Sequence, residues 1–129
     1  MAGIQPELWV DRAAAAVEFY ARAFGATVLH QVGAGDDIVA QLEVEGAAFW
    51  VSAAAPSDGR LSPLAAGGST GRTLLVVDDP EAVFERAVGA GAVARSPVAR
   101  EHGWLIGRIT DPFGHEWEIG KPLGVWPPG

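Results

Sequence analysis

Two apolar runs, each closed by Val-Asp and followed by a helical stretch, give the chain a pattern that occurs twice. Val10-Asp11 and Val77-Asp78 stand 67 residues apart. Ahead of the first, Leu8 and Val10 alternate with Gln5, Glu7 and Trp9, the period of a half-buried strand. After it, Ala14, Val17, Tyr20, Ala21 and Phe24 recur at helical spacing and mark a core-facing stripe. Asp11 is the expected N-cap, and Gly25-Ala26 ends the helix as Gly91-Ala92 ends its counterpart. The spacing predicts strands over 4–10, 26–32, 38–44 and 47–53, then 73–77, 92–98, 102–110 and 115–120. The second helix is expected over 80–88, with Pro80 in its first turn.

A strand–helix–strand–strand–strand unit of this size cannot bury its own apolar face, so the two copies should pack together. The expected fold is α+β, with paired βαβββ modules forming a curved eight-stranded mixed sheet and helices on its outer face. Module one spans 1–53 and module two 72–120. The Pro-, Gly-, Ser- and Ala-rich stretch 54–71 has no period and reads as a mobile linker able to lie over a pocket. The three-proline tail 121–129 should end the regular structure.

Composition narrows the partners. At 129 residues with 49% hydrophobic and 19% charged positions, the chain is one domain with a core. Its net charge of −7, without a basic cluster, argues against nucleic acid or an anionic membrane and modestly favours a cationic ligand. Solubility alone also explains an acidic balance. The lack of cysteine excludes disulfides, thiolate metal sites and a cysteine nucleophile. With no signal peptide and no run of spanning length in view, a cytoplasmic location is expected. His30, His102 and His115 stand at no ligand spacing. The glycine-rich stretch 67–71 lacks the Lys-Ser/Thr of a phosphate loop.

Two segments carry a family resemblance. Leu8-Trp9-Val10-Asp11-Arg12 and the helix to Phe24-Gly25-Ala26 resemble the opening of the vicinal oxygen chelate superfamily, which contains glyoxalase I, bleomycin-resistance proteins and extradiol dioxygenases. Ile109-Thr110-Asp111-Pro112-Phe113-Gly114, running on through Glu118 to Gly120, is similar to its closing Asp-Pro-x-Gly turn and last strand. In metal-dependent members four strand residues hold one divalent ion. By motif register those positions are Gln5, Trp50, Arg72 and Glu118 here. Trp50 has no lone pair to give a metal and Arg72 brings a fixed positive charge. The reading is therefore no metal and no cofactor.

Strand parity places Glu7, Trp9, Gln41, Trp104 and Arg108 on the face that carries this quartet, together with Glu43, Ser52, Ile106 and Glu116. A wall with Trp9, Trp50 and Trp104 suits a planar or cationic ligand, though packing is the commoner fate of tryptophan. Arg72 and Glu118 read equally as an internal ion pair in place of the ion or as a clamp for a ligand's charged groups. Two functions follow. One is a metal-independent binder of a small cationic or aromatic, antibiotic-like molecule, for which the resemblance implies a homodimer. The alternative is a glyoxalase-like lyase, isomerase or dioxygenase with Glu118 as ligand or base. A metal-free variant of the latter would use Glu118 held between tryptophans.

Overall fold

The computed structural model describes residues 1–128. Module one runs β1 (Glu7–Val10), α1 (Ala13–Phe24), β2 (Thr27–Val32), β3 (Val39–Val44) and β4 (Ala47–Ala53). A connecting stretch contains the short helix α2 (Pro63–Ala66). Module two runs β5 (Arg72–Val76), α3 (Pro80–Gly89), β6 (Val93–Glu101), β7 (Trp104–Thr110) and β8 (Glu116–Pro122). The eight strands divide by module into two mixed four-stranded sheets, ordered β1-β4-β3-β2 and β5-β8-β7-β6. β1 is parallel to β4 and β5 to β8, while the other pairs are antiparallel. Each parallel pair needs a crossover, which α1 and α3 begin.

The outer faces of the sheets meet the helices in one core. Tyr20 lies among Phe24 and Phe49 of its own module and Phe113 and Trp117 of the other, with ring centroids 5.3–6.3 Å apart. The alternation expected of β8 is visible in its burial, with Trp117 and Ile119 buried and Glu116 and Glu118 half-buried on the opposite face.

Several sequence expectations change. Asp11 does not cap α1; the N-cap is Arg12, with no side-chain cap bond, and Asp11 instead lies 3.4 Å from the Arg12 guanidinium. Arg12 meanwhile donates to the Pro112 carbonyl and lies over the Phe113 ring. Asp79 does cap α3, accepting from the Ala82 amide. β1 begins at Glu7, so Gln5 precedes the strand. The stretch 54–71 is not featureless: Ser62 caps α2, and Pro63 packs on the closing turn of module two. Gly114 there has φ +88, and a Cβ on it would come within 2.9 Å of Pro63, so both the turn and the docked helix require glycine. The tail does not end the structure at Gly120 either, since β8 continues to Pro122 and Trp126 folds back edge-on to Trp104, centroids 5.3 Å apart.

Candidate functional site

The site side chains fall on the faces of the two sheets turned away from the helices, and each module assembles its own set. In module one, the register places Trp50 between Glu7 and Gln41 across β1, β4 and β3. Gln5 reaches over this row. Its Oε1 accepts from Trp50 Nε1 at 2.8 Å and from Gln41 Nε2 at 3.0 Å. Indole nitrogen is only a donor, which fixes the amide oxygen on the tryptophan side. Both lone pairs of that oxygen are engaged. Glu7 is exposed, and Trp9 lines a separate cavity of about 340 Å³ with Glu7, Pro63, Thr70 and His115. His115 donates from Nε2 to the Trp9 carbonyl at 2.8 Å, tying the modules together, the hydrogen-bonded structural role its place after the turn suggests.

In module two a line of alternating charge crosses all four strands. Arg72 of β5 lies 3.7 Å from Glu118 Oε2 of β8. Glu118 accepts from Arg108 Nε of β7 at 3.0 Å, and Arg108 grips Glu101 of β6 through both terminal nitrogens at 2.9 and 3.0 Å. The fork geometry makes the last pair the strongest. The bonds from Arg108 hold the Glu101 carboxyl below its ordinary range, and Glu101 in turn raises the Arg108 guanidinium above its own. Glu118, 17% exposed, therefore sits between two guanidinium groups and not between tryptophans, which removes the apolar setting expected for an acid–base catalyst.

Trp104 forms one wall of a pocket of about 310 Å³ with Leu74, Ile106, Arg108 and Glu118. A neighbouring polar cavity of about 550 Å³ is lined by Ser69, Thr70, Gly71, Arg72, Glu116 and Glu118. A third cleft, about 360 Å³, opens where the modules meet, with Gln5, Phe49, Leu75 and Trp117 in its walls. Trp9 and Trp104 thus line different cavities, and Trp50 is turned to Gln5, so one chain does not present the three indoles as a single wall. No hydrogen bond or ion pair among the described residues joins the Gln5 set to the Glu118 set.

The four positions that the resemblance marks for an ion, Gln5, Trp50, Arg72 and Glu118, do not form a coordination set. Trp50 has no donor atom for a metal, Arg72 is a permanent cation, Gln5 Oε1 already accepts two hydrogen bonds, and Glu118 Oε2 accepts one from Arg108. A divalent cation requires several free oxygen or imidazole ligands. Among the described residues no group of three or more His, Asp or Glu side chains is placed to hold one.

Sequence reasoning missed Glu101 and Trp126. The two-residue turn at His102-Gly103 pairs Glu101 with Trp104, which puts Glu101 on the Arg108 side. Ending the strand at Val98 hid that signal. Trp126 carries no local signal, because its partner is set by how the tail folds back.

Residues 4–119 match the family described as Glyoxalase/Bleomycin resistance protein/Dioxygenase superfamily. The uncharacterized protein Rv0887c of Mycobacterium tuberculosis is 35% identical over 126 residues, which cover 93% of this chain and 74% of that protein. A glyoxalase-related enzyme from Fulvimarina pelagi aligns with a TM-score of 0.75 at 23% identity, covering 100% of this chain and 94% of that one. A bleomycin-binding protein complexed with bleomycin aligns with a TM-score of 0.69 at 19% identity, covering 94% and 98%. At these identities the two structures share the fold alone.

Proposed function

The chain belongs to the glyoxalase/bleomycin resistance protein/dioxygenase superfamily, and from that premise we propose that it binds a small aromatic or cationic molecule without a resident metal, as a sequestering protein does. One observation carries this reading. Trp50 and Arg72 offer an ion no ligand atom, Gln5 Oε1 already accepts from Trp50 and Gln41, and Glu118 Oε2 accepts from Arg108. An ion held by Glu118 would also stand beside the fixed positive charges of Arg72 and Arg108, which repel it. The surface that remains suits a planar molecule, with indole faces beside charged side chains. The fold shared with a bleomycin-binding protein is in keeping with this use. A homodimer belongs to the same proposal, because a second copy could set its Gln5–Trp50 face opposite the Glu118 face.

The test joins metal analysis to tryptophan fluorescence. Protein purified without chelator should hold no stoichiometric Ni, Zn, Fe or Mn. Planar aromatic cations should quench its fluorescence saturably and equally with or without EDTA. A stoichiometric metal that disappears in Glu118→Gln would overturn the proposal and favour the lyase, isomerase or dioxygenase alternative.

A further inference from the structure

The polar cavity of module two holds one cation and one anion that the protein leaves without a tight partner. Arg72 is 48% exposed, and its only ionic contact, to Glu118, is 3.7 Å long, beyond hydrogen-bond reach. Glu118 satisfies its own charge through Arg108 at 3.0 Å. Glu116, half-buried and opposite Arg72 in the register, makes no ion pair or side-chain hydrogen bond among the described residues. Beside them runs the glycine-rich stretch the sequence singled out. The backbone amides of Ser69, Thr70 and Gly71 donate to no protein group among the described residues. These features line one cavity, with Glu118 as its border with the apolar pocket of Leu74, Ile106 and Trp104.

Unpaired amides beside an arginine bind a carboxylate well, the arginine through two parallel bonds. A half-buried carboxylate that makes no ion pair of its own accepts an ammonium group. Counting Arg72, Arg108, Glu101, Glu116 and Glu118 leaves the face one negative charge in excess, so a plain carboxylic acid would enter against the local field. A plain amine would leave Arg72 and the loop amides unused. We infer that this cavity takes the zwitterionic head of an α-amino-acid-type ligand, its carboxylate on Arg72 and the 69–71 amides and its ammonium on Glu116, while an aromatic body lies over Leu74 towards Trp104. This rests on the binding reading above and names the chemical class of the ligand.

Three probes that differ only in the head test it: L-phenylalanine, 3-phenylpropionate and 2-phenylethylamine, followed by calorimetry and tryptophan fluorescence. Phenylalanine should bind at least tenfold more tightly than either of the others. Arg72→Gln should weaken phenylalanine and phenylpropionate about tenfold and leave phenylethylamine unchanged. Glu116→Gln should weaken phenylalanine and phenylethylamine and spare phenylpropionate. Glu116→Gln is isosteric and Arg72→Gln shortens an exposed side chain, and matching thermal transitions confirm their fold. If either single-charge probe binds as tightly as phenylalanine, or if neither variant shows its selective loss, the zwitterion assignment is overturned while the binding reading stands. If none of the three binds and planar cations fail as well, both are overturned.

Discussion

Asp111 is 3% exposed yet accepts four hydrogen bonds, from the Tyr20 hydroxyl, the Trp117 indole and the amides of Phe113 and His115. The two amides shape the closing turn, and the two side chains bolt that turn to both modules. Asp111→Ala would leave four buried donors unmet and should cost about 3–5 kcal/mol, whereas Tyr20→Phe removes one donor and should cost about 1 kcal/mol. Chemical denaturation compares them, and equal losses would sink the account. Burial, followed by the charge of Asp111, holds the Tyr20 phenol well above its usual value of 10.0, so the network keeps its proton across the physiological range. Glu101 supplies the acid-side prediction. Its folded pKa lies below the ordinary 4.5, so its contribution is complete above that pH and fades as pH falls through the folded value. The stability gap between the protein and its Glu101→Gln variant should be constant above pH 4.5 and shrink below it. A gap that persists into strong acid would contradict the pairing with Arg108.

Among the elements, helix ends show how local signals and distant partners share the work. Gly25 ends α1 in the left-handed region at φ +69 and its amide closes onto the Ala21 carbonyl, a stop that the sequence announces. Two carbonyls of that turn also accept from the other module. Arg86 of α3 donates from Nε to the Arg22 carbonyl and from a terminal nitrogen to that of Ala21. Arg86→Ala should lower the unfolding midpoint by an amount equivalent to about 1–2 kcal/mol. Arg86→Lys should recover only part of it, since an ammonium cannot serve both acceptors. Full recovery by lysine would show that charge at the helix end matters more than the two-carbonyl grip. Periodicity and turn residues placed α1, α3 and the eight strands, most clearly where one face is apolar, as in β3, β4 and β8. Periodicity could not place α2, whose four residues span about one turn and carry no period.

For the whole molecule, Tyr20, Phe24 and Phe49 find Phe113 and Trp117 only when both modules are present. A fragment of residues 1–60 should therefore be unfolded by circular dichroism and rapidly proteolysed; a cooperative melt of that fragment would show that module one carries a core of its own. The sequence by itself determined the duplicated α+β architecture and the alternation of β8. Those properties lie in periods and motif offsets within reach of local reading. Only the tertiary structure decided that Gln5 is spent on Trp50 and Gln41, that Glu118 lies between two arginines, and that Glu101 and Trp126 join the site. A side chain's partner depends on strand register and on segments distant in sequence, and no local pattern encodes which of several arginines a given carboxylate will meet.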